Sequence, residues 1–172
     1  GISGCAPEAM VLPVKISQGS TGSFTDETVA EGIIYAADHG ADIISCSWGP
    51  TDGHWDDPND PNHTNPVDMP DSTRLAIEYA VNYGRNGKGC VITFAAGNGN
   101  ENIKYDGYAS YDKVIAVAAC NDTNRRSVYS DYGESVWCAF PSNDFGYPPY
   151  NHPSPLTPGI YTSDRQGTIG YS

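Results

Sequence analysis

GCVITFAAGNGNENIKYDGYASYDKVIAVAA, residues 89–119, holds two short apolar runs with a polar loop between them. Residues 91–96 and 114–119 have the length and β-branched content of buried strands and are too short for helices. They predict interior strands. The loop between them, residues 97–112, opens Gly97-Asn98-Gly99-Asn100 and carries Asn98, Glu101, Asp106 and Asp112. Polar groups are thereby delivered at the carboxyl end of a buried strand, the edge where ligands bind in parallel α/β sheets. Asn98 between two glycines also has the composition of a plain turn, so its meaning depends on the rest of the chain.

Outward from this stretch, residues 41–48 (ADIISCSW) form another apolar run, which breaks at Ser47-Trp48-Gly49-Pro50. Residues 10–16 (MVLPVKI) fit a strand, against which Pro13 is a mild objection. Residues 136–140 and 159–161 are further short candidates. Thr25 supplies a cap and Asp26 and Glu27 first-turn acids for a helix whose Val29, Ile33, Ile34 and Ala37 keep helical spacing until Gly40. A second helix is predicted over residues 71–85, with Leu75, Ala76, Tyr79, Ala80 and Tyr83 as its apolar stripe and Gly84 and Gly87 closing it. This alternation predicts an α/β fold, a doubly wound, mainly parallel sheet with flanking helices. Two stretches read as loops: residues 51–71, with six aspartates and no Lys or Arg, and the Pro-rich residues 141–158.

The chain has 172 residues, one domain's worth, and no apolar run of membrane-spanning length. A net charge of −12 argues against nucleic acid and anionic membranes as partners and favours cations, either metal ions or basic peptides. Five cysteines, three of them (Cys46, Cys90, Cys120) in or beside apolar runs, imply no disulfide framework, and no zinc spacing is present. His39, His54, His63 and His152 fall at a helix end or in loops and read as surface residues. Asp56, Asp57 and Asp60 lack the spacing of an EF-hand and read as solvated loop acids.

The ordered set GISGCAPEAMVLPVKI, GADIISCSWGP, VITFAAGNGN, YASYDKVIAVAA and GIYTSD resembles the core of a subtilisin-like serine protease, a subtilase, over nearly the whole chain. Ser47-Trp48-Gly49-Pro50, Arg74-Leu75-Ala76, the stretch 84–89, Asp106-Gly107-Tyr108 and Tyr129-Ser130-Asp131 are similar to the kexin and furin branch more than to subtilisin itself. The resemblance implies an oxyanion-hole role for Asn98, whose amide would donate to the charge that acyl transfer builds on a carbonyl oxygen. It implies that Ser47, Trp48, Gly49 and Pro50 pair with the substrate backbone as an added strand. Asp52 and Asp106 would lie at the bottom of the pocket for the residue before the cleaved bond, where paired carboxylates favour Arg and then Lys. Asp68, Tyr108 and Glu31 would face basic residues further upstream in the substrate. The family commonly has two or three acids directly after the Pro, whereas this chain has Thr51-Asp52-Gly53 and a long insertion, so a strict dibasic preference does not carry across.

The resemblance also implies one calcium ion beneath the primary pocket, with Asp52 and Asp131 matching two ligands and Glu101 as the third. It implies, finally, a triad that lies elsewhere: the Asp and His motifs before Gly1 and the nucleophile after Ser172. The expectation is therefore the central part of a single subtilase catalytic domain, inactive by itself, acting on peptide or protein substrates together with the remaining segments of the same protease. An extracytoplasmic or periplasmic setting is favoured. The competing expectation is a non-catalytic acidic module that binds calcium or basic peptides.

Overall fold

The computed structural model describes residues 5–17 and 24–144. The first helix, α1 (Asp26–Asp38), starts as its sequence predicts. The Thr25 hydroxyl accepts from the backbone N of Thr28 at 3.3 Å and the Thr28 hydroxyl from the N of Thr25 at 3.1 Å, closing a capping box. Asp26 and Glu27 then face the positive end of the helix dipole. Val29, Ala30, Ile33, Ala36 and Ala37 are its buried face, while Ile34 is outside it.

The second helix, α2 (Asp71–Gly87), breaks at Gly84, where ψ of 161° leaves the helical region, and Arg85 and Asn86 follow with positive φ. Its buried face is Thr73, Ala76, Ile77, Ala80 and Gly84. The expected stripe is thus half displaced, because Leu75, Tyr79 and Tyr83 are exposed and Ile77 takes their place in the core. The cause is close packing of α2 on α1, which buries the small-residue face rather than the aromatic one.

Four strands, β1 (Ile43–Cys46), β2 (Val91–Ala95), β3 (Ile115–Cys120) and β4 (Val136–Pro141), form one parallel sheet in sequence order. Ile43 pairs with Val91, Thr93 with Ile115, and Ala118 with Ala139. β2 and β3 are interior in this order, as expected. Their burial alternates, with Ile92, Phe94, Ala116 and Ala118 in the core, so one face is covered among the described residues. Strand order runs in one direction, and the reversal that makes a sheet doubly wound does not fall among the described residues. α1, α2 and the covered face share one core, centred on Ile77, Ile92 and Phe94.

Residues 10–16 do not form the expected strand. Pro13 offers no ladder donor, and Met10 is 98% exposed, whereas Val14 and Ile16 lean on α1 at Gly32. The expected strand at 159–161 lies outside the described residues, as do His152 and most of the Pro-rich stretch.

Candidate cation and substrate site

β2 runs out at the carboxyl edge of the sheet, and the chain turns there at Gly97 with φ of +114°. The loop that follows is held by carboxylates. Asp131, delivered by the turn before β4, accepts from the backbone N of Gly99 at 2.8 Å and of Glu101 at 3.1 Å through one oxygen, Oδ1. Its own N donates to the carbonyl of Gly97 at 3.2 Å. Asp52, just past β1, accepts from the N of Asn98 at 2.7 Å. Glu101 reaches the acidic insertion, where its Oε2 accepts from the N of Gly53 at 2.8 Å and lies 2.8 Å from Nδ1 of His63.

The consequence is that Asp52, Glu101 and Asp131 bring one carboxylate oxygen each to within 4.8 Å of one another. Like charges this close resist ionisation. Burial first, and then Asp52 and Glu101, push the Asp131 carboxyl up to about 7 against its backbone hydrogen bonds. Asp52 is raised by burial and by Glu101, opposed by the amide of Asn98.

The residues present fit a hard divalent cation. The donor set is all carboxylate oxygen, and the loop is shaped to leave those oxygens room. A Cβ on Gly97 would come 2.2 Å from Oδ2 of Asp131 and 3.2 Å from Oδ1 of Asp52, and one on Gly99 would come 2.4 Å from Oε2 of Glu101. Glycine is required at 97 on both counts, by its positive φ and by this approach.

Asp106 lies beside this cluster. It is 8% exposed, and its Oδ1 accepts from the N of Tyr108 at 2.7 Å and of Ala109 at 3.1 Å. Oδ2 faces Gly49, where a Cβ would meet it at 3.4 Å. Burial, then Asp52 and Glu101, raise its pKa against those two amides. Asp52 and Asp106, expected at the base of one pocket, are therefore electrostatic neighbours.

The remaining expected residues divide. The backbone N of Asn98 is bonded to Asp52 and the residue is exposed, and among the described residues its side-chain amide makes no hydrogen bond. Ser47 and Gly49 are exposed just past the end of β1; Pro50 is partly buried. The Trp48 ring does the work of a core aromatic, packing edge-on against Phe24, Phe94 and Tyr108 at centroid distances of 5.4, 5.1 and 5.6 Å. Tyr108 is buried in the same cluster, with its hydroxyl donating to Oδ1 of Asp26 at 3.3 Å and its pKa pushed up to about 12, chiefly by burial. Its ring is thus committed to packing. Asp68 is exposed, and Glu31 is exposed on α1 without any of the contacts that join the cluster.

His63 corrects an expectation. Rather than a surface histidine it is a half-sequestered one, its side chain 15% exposed, wedged between Glu101 and the carbonyl of Asp57. Burial opposes the charged ring, but Glu101 and the Asp57 carbonyl outweigh it and hold its pKa above the ordinary value. Two supporting residues also escaped the sequence reading. Gly53 lies flat under the His63 ring, and Arg126 spans from the carbonyl of Ser130 to Oδ1 of Asn100, bracing the two loops that carry Asp131 and Asn98. The one signal for His63 was its place in a stretch with six aspartates and no Lys or Arg, a signal it shares with His54.

Comparison with known proteins identifies the family. The family model described as the subtilase family matches residues 1–158. The chain is 56% identical over 172 residues to a calcium-dependent protease of Nostoc sp. (strain PCC 7120), all of this chain and 24% of that one. It is 39% identical over 144 residues to thermitase of Thermoactinomyces vulgaris, 83% of this chain and 43% of that one. The structure of a cold adapted subtilisin-like serine proteinase superposes with a TM-score of 0.53 at 19% identity, covering 74% of this chain and 39% of that one; this likeness is one of fold. The chain spans about a quarter of the length of the calcium-dependent protease it matches. With a matched stretch that takes in the sheet, both helices and the carboxylate cluster, the chain belongs to the subtilase family.

Proposed function

We propose that this chain is the substrate-binding segment of a calcium-dependent serine endopeptidase of the subtilisin and kexin type, whose Asp, His and Ser triad lies in other segments. One observation carries the reading: the loop that presents Asn98 is pinned by Asp52 and Asp131, two members of the three-carboxylate cluster. A binding module has no need of an exposed amide held in this way. Asn98 serves as the oxyanion donor, placing a neutral N–H group where charge develops on the scissile carbonyl. Ser47, Trp48, Gly49 and Pro50 offer backbone to an extended substrate.

Asp52, Glu101 and Asp131 would hold calcium, which when bound would supply positive charge that offsets the repulsion among their carboxylates. The chain's own residues then do the rest. Asp52 and Asp131 fix the loop, Gly97 and Gly99 keep space around their oxygens, and Asp106, through Oδ2, receives the guanidinium or ammonium of an Arg or Lys that enters past Gly49. Asp68 and Glu31 act on more distant basic residues of the substrate through charge alone.

The test is hydrolysis of a fluorogenic peptide ending in Arg by this chain and by the chain extended at both ends, each with calcium and with chelator. Cleavage by the extended form alone, and only with calcium, is expected. Binding of calcium or basic peptides without cleavage by either form would replace this reading with the acidic binding module.

A further inference from the structure

Residues 51–66 form a self-braced turn. Asp60 accepts from the N of His54 and of Asn62, both at 2.9 Å, and the N of His63 donates to its carbonyl at 3.2 Å. From this turn His63 projects onto the cation cluster. Nε2 donates to the carbonyl of Asp57 at 2.7 Å, and Nδ1 lies 2.8 Å from Oε2 of Glu101. A Cβ on Gly53 would come 2.3 Å from that same Nδ1, so the ring occupies the space that a side chain at 53 would need. Oε2 of Glu101 also accepts from the N of Gly53. With both donors on one oxygen, the rotamer of Glu101 is set by the insertion.

We propose that His63 is a positioning residue of the cation site: it fixes Glu101 from the acidic insertion, so that cation binding and the order of residues 51–66 are coupled. The inference rests on the reading of Asp52, Glu101 and Asp131 as cation ligands. Outer partners that orient a metal-bound carboxylate commonly govern affinity by about 10–100-fold. The insertion thus acts as a strap, tightened when the ion draws on Glu101 and looser when it is absent.

Two measurements on this chain test it: calorimetric titration with calcium, and the rate at which an Asp-directed protease cuts residues 51–66 with calcium or chelator. His63→Leu fills the space over Gly53 without a donor, and His63→Asn returns an N–H near the position of Nδ1. Calcium affinity is expected to fall about 10–100-fold in His63→Leu and to recover in His63→Asn, and calcium is expected to protect the insertion in the wild type and in His63→Asn only. Wild-type affinity in His63→Leu, or no recovery in His63→Asn, overturns the proposal. If His63→Leu does not fold, the wild type decides, since a cleavage rate that calcium leaves unchanged overturns the coupling. Asp131→Asn separates the two claims: a wild type that takes no calcium, or an Asp131→Asn chain that takes it unchanged, overturns the cation site itself.

Discussion

Oδ2 of Asp52 accepts the backbone N–H of Asn98 at 2.7 Å, joining a residue of the carboxylate cluster to the residue we assign to the oxyanion hole. Losing a charged acceptor costs about 1.5–3 kcal/mol. Asp52→Ala in the extended protease should therefore weaken calcium binding and lower kcat together. A variant with reduced calcium affinity but unchanged kcat at saturating calcium would break this link; steady-state kinetics across a calcium series reads it.

Gly97→Ala should be severe. The substitution meets both a positive φ and an approach of 2.2 Å to the Asp131 carboxylate. Strain of this kind costs about 1–3 kcal/mol, and displacement of Asp131 should abolish calcium binding as well. Thermal melting with and without calcium checks both: the midpoint should fall, and calcium should no longer raise it.

The pH dependence follows from Asp131, raised from 3.8 to about 7. A carboxyl raised on folding binds its proton more tightly in the folded state, so its contribution is most favourable below the unfolded value and is lost as pH climbs through the folded one. Asp52 and Asp106, also raised, act in the same direction. His63, raised from 6.5, likewise stabilises below its unfolded value and loses that contribution as pH rises. In chelator the urea midpoint should fall from about pH 4 to 7 as the carboxyls ionise, and His63 should extend the fall above pH 6.5. Calcium should oppose the fall, and Asp131→Asn should flatten it.

Asp106→Asn should reduce kcat/KM for peptides ending in Arg or Lys more than for those ending in a neutral residue. The differential is that of one charge-assisted hydrogen bond, about 1.5–3 kcal/mol. An equal loss across substrates would place Asp106 outside the specificity pocket.

In the core, Ile77 is fully buried between α2 and the sheet. Ile77→Ala should cost about 2–5 kcal/mol, read as a lowered urea midpoint. Tyr83→Ala on the exposed side of the same helix should cost far less.

Much of this was legible in the residues. The runs of the 89–119 stretch become β2 and β3, and Thr25 caps α1, because short β-branched runs and side-chain caps act locally. The family resemblance named Asp52, Glu101 and Asp131 as calcium ligands, and one oxygen of each lies within 4.8 Å of the others. Features that depend on tertiary packing were not legible. Leu75, Tyr79 and Tyr83 outrank Ala76 and Ala80 in hydrophobicity, yet close helix contact selects the small face. Residues 10–16 are apolar enough for a strand and find no ladder. His63 looked like a loop histidine because its partner is Glu101, on another loop. For Trp48 and Tyr108, sequence gives residue type but not direction, and both rings turn into the core.

The most direct test of the account is the turnover of an Arg-ending peptide by the extended protease carrying Asn98→Ala, at saturating calcium. The account predicts a marked fall in kcat with KM and calcium affinity little changed, since the side-chain amide is lost while the backbone N–H to Asp52 remains. An unchanged kcat would contradict it, and would leave the loop around Asn98 a cation-binding element without a part in catalysis.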